Sequence, residues 1–329
     1  MSGTLSLRRG VVTAVTEREE GLVRVEVDGR PCVAYPRLTG AVALGDEVIV
    51  NVQAVELGLG SGGFDVLHAN LTRGLDLRAE PGAHVMKLPY TSLQHAVLHA
   101  EERGVRRSDL GGLPVVCCSL HSQVAPVFAG IGADRNVAYV QLPGGALPVS
   151  LSDTVRALRA RNLVETTVAV GACFDGDVAC VSTAAALLWA AEESLDAVVC
   201  AIGPGIVGTA SQWGHGGLAA AEALVTARTL GGDPVLAVRY SERDERERHQ
   251  GISHHTRAVL SLAGEARIGW PSGLREPEGL ENVATIDVDG WREACDGLPL
   301  SHMGRGPAAD PWFFATAFAA GRLARAALA

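Results

Sequence analysis

Residues 198–217 read VVCAIGPGIVGTASQWGHGG, and this stretch decides the fold. The apolar run 198–202 stops at a glycine-rich loop, and a helix-forming run over 218–230 follows. A strand that breaks on glycines and feeds a helix gathers unpaired main-chain N–H groups at a helix N-terminus, where the helix dipole adds positive potential. The stretch therefore predicts an anion-binding glycine loop, with Gly203, Gly205, Gly208 and Thr209 as ligand contacts. It does not match the GxGxxG dinucleotide fingerprint with its later acidic residue, and no Gly-Lys-Ser/Thr of a Walker A loop is present.

The same strand-then-helix pattern repeats outward from this point. Apolar runs at 114–120, 136–142, 166–172, 196–202 and 234–240 alternate with helical stretches near 122–131, 152–161, 178–194, 217–230 and 253–263. The strands are continuously apolar, as expected for a parallel sheet covered on both faces. A last strand at 284–288 and a helix at 310–328 complete the pattern. The expected fold class is α/β, a doubly wound and mainly parallel Rossmann-like sheet over 113–329. Residues 1–52 read as a small β-barrel or meander of the OB or SH3 kind, because short β-rich runs are separated by turn signals at Asp28-Gly29, Gly40 and Gly45-Asp46. Residues 53–112 read as a glycine-rich connector followed by a helix from Thr91 or Ser92 to Arg103.

A net charge of −9 argues against nucleic acid as a partner, since phosphate-backbone affinity comes from clustered Lys and Arg. The Arg-rich stretch 239–248 is interleaved with acids and is nearly neutral. No apolar run approaches the length of about 18 residues that a membrane span needs, and the first ten residues lack a signal-peptide core. Cys117, Cys118, Cys173, Cys180 and Cys200 lie inside apolar runs, which reads as reduced, buried thiols in a cytoplasmic protein. No CxxC pair points to structural zinc.

Ligands of open parallel sheets bind beyond the carboxyl ends of the strands, and polar residues gather there in the predicted order. His121 and Ser122 follow the first strand, and Pro143-Gly144-Gly145 the second. Asp175 and Asp177 follow the third, the glycine loop the fourth, and Arg239 the fifth. Ser253 is the expected N-cap of a helix opening with His254 and His255, where the dipole keeps imidazole neutral. His121, His254 and His255 are the candidate acid–base groups, and Ser122 and Arg239 candidate ligand contacts. Asp175 and Asp177, one residue apart in FDGD, are the candidate ligands of a divalent metal. Lys87 is the single lysine of an Arg-rich chain and joins the catalytic candidates, because an ammonium can lose its proton when buried. His95, His99 and Glu102 fall on one face of the expected helix, where a solvated outer face is the plainer reading of this HxxxH spacing.

Six segments together carry a family resemblance: AVELGLGSGGFDVLHAN, HVMKLPYTSLQ, PVVCCSLHS, AIGPGIVGTASQWGHGG, ERHQGISHHT and SHMGRGPAADPWFF. They span nearly the whole chain, which resembles an uncharacterised Gram-positive bacterial family, domain-of-unknown-function family 3866. The resemblance implies a shared architecture and residue pattern without an activity. Its pattern is apolar or variable at the positions of His95 and His99, which further lowers those two.

The leading expectation is a cytoplasmic enzyme acting on a small anionic metabolite, phosphorylated ones included, by metal-assisted hydrolysis or phosphoryl transfer. Isomerisation fits almost as well. The alternatives are a non-catalytic nucleotide or metabolite sensor and a structural scaffold. A homo-oligomer is expected, with the small β unit serving interaction or dimerisation.

Overall fold

The computed structural model describes residues 5–59, 62–75 and 77–328. The chain divides into two compact units at Leu98/His99.

The N-terminal unit is built on a closed barrel. Its strands are β1 (Leu7–Glu19), β2 (Leu22–Val27), β3 (Arg30–Ala34), β4 (Glu47–Asn51) and β5 (Asp65–Asn70), ordered β1-β2-β3-β5-β4. One-turn helices α1 (Pro36–Thr39) and α2 (Gln53–Glu56) flank β4. Inward-facing Val23, Val25, Val27, Val48, Val50 and Leu67 form the core, alternating with outward residues as a half-buried strand requires. The barrel thus takes its fifth strand from the stretch that reads in sequence as a connector. A pair, β6 (Val85–Lys87) and β7 (His95–Val97), replaces the helix expected from Thr91 or Ser92. Strand pairing overrides the helix-forming composition of 93–103, leaving only a 3₁₀ turn at Ala100–Arg103.

The C-terminal unit contains a parallel sheet of six strands. They are β8 (Pro114–Cys118), β9 (Val137–Leu142), β10 (Thr166–Val170), β11 (Val178–Cys180), β12 (Ala197–Ile202) and β13 (Asp233–Ala237), ordered β11-β10-β9-β12-β8-β13. Side chains alternate between two separate apolar clusters. Val116, Cys118, Tyr139 and Val199 join one, and Val115, Cys117, Val140 and Cys200 join the other. The first cluster is closed by α3 (Val124–Ile131), α4 (Asp153–Ala160), α8 (Trp291–Ala294) and α9 (Pro311–Ala326). The second is closed by α5 (Thr183–Glu192), α6 (Ala219–Thr229) and α7 (His254–Ala263). The expected helix over 178–194 begins instead as the edge strand β11. Beyond β13, β14 (Tyr240–Ser241) and β15 (Gly251–Ile252) form a two-residue ribbon, and β16 (Ile268–Pro271) pairs in parallel with β17 (Val283–Ile286). The last expected strand therefore lies outside the six-stranded sheet. No helix among the described residues is long and apolar enough to cross a membrane.

Candidate functional site

All six strands run the same way, so their carboxyl ends share one edge. The loop after β9 and the loop after β12 meet there through bare backbone. A Cβ on Gly145 would strike the Gly203 carbonyl, one on Gly203 the Ala146 carbonyl, and one on Gly216 the Gly144 carbonyl. Main-chain bonds zip the two loops, Ala146 N to Pro204 O (2.9 Å) and Val207 N to Gly144 O (3.0 Å). The 203–217 loop then folds back on itself. Thr209 N donates to Gly214 O (2.7 Å), Gly216 N to Val207 O (2.7 Å), and Gly208 bridges His215. These glycines permit close backbone approach, and the amides of Val207, Thr209, Gly216 and Leu218 are already engaged in main-chain bonds. The Thr209 hydroxyl is likewise held within its own turn, bonded to Gly214 O (3.2 Å).

What this packing delivers is His215, at the returning end of the loop. The β14–β15 ribbon returns the chain to Ser253, whose main-chain N–H donates to Arg239 O (2.9 Å). Ser253 caps α7, accepting from His255 N (3.2 Å), as its place before the histidines predicts. His254 and His255 thereby meet His215 and His249. His215 stacks on His255 with ring centroids 3.7 Å apart, and His249 lies 4.7 Å from His254. The metal-capable atoms of His215, His254 and His255 all lie within 4.8 Å of one another. Neither ring nitrogen of His215 has a hydrogen-bond partner of ordinary geometry, nor has His254 Nε2, and all three atoms are buried.

Arg239 joins the histidines to a buried charge network. Its Nη1 donates to His255 Nδ1 (3.0 Å) and its Nη2 to Asp244 (3.4 Å), while its Nε is buried without a partner. Asp244 also receives Arg246 (2.9 Å) and Arg305 (3.3 Å), and Arg305 reaches on to Asp310 (3.4 Å). Asp310 precedes α9, but its carboxylate takes the Ser241 hydroxyl (2.6 Å) instead of capping the helix. His302 and Arg305 are clasped by reciprocal main-chain bonds around Met303-Gly304, both at positive φ, as a tight two-residue hairpin turn requires. His302 stacks on Phe313 at 3.8 Å and bonds Ser122 through Nδ1 (3.2 Å).

Burial dominates the electrostatics. It pushes His255 down to about 2, with Arg239 adding to the effect, and His249 and His302 down to about 3, again with Arg239 next. His215 and His254 also fall below the ordinary imidazole value, first through burial and then through His254 and Arg248 respectively. All five are neutral at pH 7. Burial brings Arg239 down to about 10 against the pull of Asp244. Burial pushes the Asp244 carboxyl up, but the hydrogen bonds and charge of Arg246, with Arg239, outweigh it and hold it well below the carboxylate range.

His121 has a different set of partners. Its Nδ1 bonds the Ile202 carbonyl (3.1 Å), so the proton is on that nitrogen, and Nε2 meets Ser152 Oγ (2.6 Å), the N-cap of α4. Burial lowers it to about 4, opposed by the Ile202 bond. The two aspartates do not converge. Asp175 takes the Ser150 hydroxyl (2.8 Å). Asp177 accepts from Thr167 N (2.7 Å) and pairs with Arg159 at the start of β10, the opposite edge of the sheet. The cause is the parallel pairing of β11, which sends the chain back along β10 before Val178. Lys87 belongs to the N-terminal unit, where it is buried at the end of β6 opposite His95. His95 lies on β7 and His99 precedes the 3₁₀ turn, so no helix face carries them.

His249 is reached in sequence only as the end of the charged loop after the fifth strand, and Asp244, His302, Arg305 and Asp310 escape sequence reasoning as site residues. The one local signal for the last three is the SHMGRGPAAD segment, whose Met-Gly pair marks a turn. A cavity of about 240 Å³ beside Trp291, Cys295 and Leu298 holds none of these groups.

A family model for proteins of unknown function, DUF3866, matches residues 31–321. The chain belongs to this family. No curated protein matches it. All six segments that carry the resemblance contribute to the architecture just described: AVELGLGSGGFDVLHAN supplies the barrel strand β5, HVMKLPYTSLQ the strand β6, PVVCCSLHS β8 and His121, AIGPGIVGTASQWGHGG the packed loop and His215, ERHQGISHHT the remaining histidines of the cluster, and SHMGRGPAADPWFF the turn and the start of α9.

Proposed function

We propose that the C-terminal unit of this DUF3866 protein is an enzyme acting on a small anionic metabolite, phosphorylated metabolites included, by hydrolysis or phosphoryl transfer at the carboxyl edge of its sheet. We read that unit as doubly wound, and its buried free cysteines fit a reducing cytoplasm. One observation carries the reading. Three guanidinium groups, Arg239, Arg246 and Arg305, face two carboxylates, Asp244 and Asp310, and the Arg239 Nε is buried with no acceptor. Of the three only Arg239 is buried, and a buried guanidinium with an unanswered N–H beside two further cations is costly unless an anion completes it. The adjacent neutral histidines then act as proton acceptors or N–H donors towards the bound anion. In this reading the anion site is made by side chains, chiefly Arg239 with His302 and Ser122, rather than by the glycine-loop amides.

A sensor without turnover is the second reading. It is favoured because Asp244, the carboxylate that Arg239 links to His255, is taken up by three guanidinium groups and is not available as a base. Scanning fluorimetry against inorganic phosphate, phosphomonoesters, nucleotides and dicarboxylates tests both readings. Phosphorylated compounds should raise Tm by several degrees at concentrations far above Kd, and Arg239→Gln should abolish the rise. An equal response in the folded variant, or none from any anion in the wild type, sinks the anion site. Phosphate release from a stabilising phosphomonoester separates the enzyme from the sensor.

A further inference from the structure

We propose that His215, His254 and His255 form a binding site for one divalent late-transition cation, Zn²⁺ foremost, with a coordination position left open. Among the described residues, these three converge as a metal-capable group, their ligand atoms within 4.8 Å of one another. The second observation is independent of that convergence. His215 Nδ1 and Nε2 and His254 Nε2 are buried with no hydrogen-bond partner of ordinary geometry, His215 meeting only the Gln212 main chain, whereas His121 is answered by Ile202 and Ser152 and His249 by Ser253. His215 itself is only 6% exposed, so water does not relieve it. Bare imidazole nitrogens facing one point are what a cation completes.

The donor set selects the ion. Three imidazoles without a carboxylate suit Zn²⁺, Cu²⁺ or Ni²⁺ and disfavour Mg²⁺ and Ca²⁺, which need oxygen ligands. Tetrahedral Zn–N bonds of about 2.0–2.1 Å set nitrogens roughly 3.4 Å apart, so the rings must close inward by up to about 1.4 Å. His215 lies on a loop and His254 on the first turn of α7, where rotation about the side-chain bonds supplies that movement. His255 is the weakest of the three ligands. Arg239 donates to its Nδ1, so the neutral ring carries its proton on Nε2. Coordination through Nδ1 displaces the guanidinium, and coordination through Nε2 moves the ring proton to Nδ1, which then no longer accepts from Arg239. Both cost affinity.

All three ligands are neutral, so the bound ion keeps its full charge beside the Arg239 guanidinium. Its open position then favours an anionic oxygen. That last step rests on the anion reading above, whereas the cation site stands on the histidines alone.

The test uses the full chain stripped by chelator. Calorimetry with Zn²⁺ and visible absorption with Co²⁺ should both give one ion per chain, and Co²⁺ should show the intense bands of four-coordination. His215→Ala and His254→Gln should each weaken binding by at least about 100-fold, since even outer-shell changes cost metal sites 10–100-fold. His255→Ala should cost less, and His84→Ala, at an exposed position of the N-terminal unit, nothing. Circular dichroism checks folding, and His254→Gln, at a half-buried helix start, is the variant to rely on if His215→Ala does not fold. Binding to wild type no tighter than to folded His254→Gln overturns the proposal. Phosphate stabilisation of the stripped protein is measured in parallel. Its loss alone removes the anion reading, and loss of Zn²⁺ binding alone removes the cation site.

Discussion

The barrel and the α/β unit differ in how their buried polar groups are gathered. In the barrel, Asp46 is 1% exposed and fully answered: Asn70 (2.8 Å), Ala43 N (2.9 Å) and Arg73 (2.7 Å) all donate to it. Burial pushes that carboxyl up, and those hydrogen bonds outweigh it and bring it below its ordinary value. Arg8 and Asp65 pair with each other at 3.2 Å, and the atoms of theirs left unanswered, Arg8 Nε and Asp65 Oδ1, belong to that one pair. In the α/β unit, buried polar atoms of His215, Arg239, His254, His302 and Asp310 are left without partners, and hydrogen bonds, ring contacts or charge link all five residues into one neighbourhood. The gathering of several unsatisfied atoms along a single sheet edge is what the proposed ligand sites rest on.

The most severe test of this contrast is steric. Gly216→Ala should prevent the native fold of the α/β unit, because the new Cβ meets the Gly144 backbone, which cannot swing aside as a side chain can. In the barrel, Gly45 has nothing within 4 Å of a Cβ and needs only its positive φ, so Gly45→Ala should cost about 1–2 kcal/mol. Urea melts of both variants measure the difference, and comparable losses would break the comparison.

Next comes Asp244→Asn, which leaves three guanidinium groups facing a neutral amide. The expected loss is about 3–5 kcal/mol, as for breaking a buried ion pair. Arg275→Ala removes the exposed Arg275–Glu278 pair and should change stability by less than about 0.5 kcal/mol.

Acid should act on the α/β unit before the barrel. His121 and His302 are neutral in the fold, at about 4 and about 3 against an ordinary 6.5. The unfolded chain therefore binds more protons below pH 6.5, so their contribution is complete above that pH and is lost progressively as pH falls towards 4 and then 3. The depressed Asp46 carboxyl of the barrel gives up its contribution only within the lower carboxylate range. All five tryptophans, at positions 189, 213, 270, 291 and 312, belong to the α/β unit, so their fluorescence reports that unit alone. Thermal melts followed by tryptophan emission should shift down several degrees between pH 6.5 and 4.5, and His302→Phe should flatten that slope. A pH-independent tryptophan transition would sharpen doubt on the neutral-histidine network first.

Much of the α/β layout is legible in the residues. Runs such as VVCAI at 198–202 are apolar at every position because both faces of that strand are covered, and glycines mark where they end. The start of α7 is equally plain, since Ser253 before His254 is a cap by its chemistry. The barrel's last strand, DVLHAN, is harder to see behind the glycines of 58–63, because what makes it a strand is pairing with β3 and β4. The helix expected near Thr91 fails for the same reason, its residues 95–97 forming β7 in pairing with β6. Asp177 looks like a partner of Asp175 in sequence, but Thr167 and Arg159 take its carboxylate at the start of β10 while Asp175 takes Ser150.

By itself, the sequence determined where the chain must be apolar, where it must bend, and that neutral imidazoles open a helix. Those are local matters of side-chain chemistry and backbone freedom. Only the tertiary structure decided that His215 stacks on His255, that Arg305 reaches Asp244 from 61 residues away, and that the glycines near 203 serve close packing. Such meetings depend on which strands pair and in what order, and strand order is settled by the packing energy of the whole sheet, which no single stretch encodes.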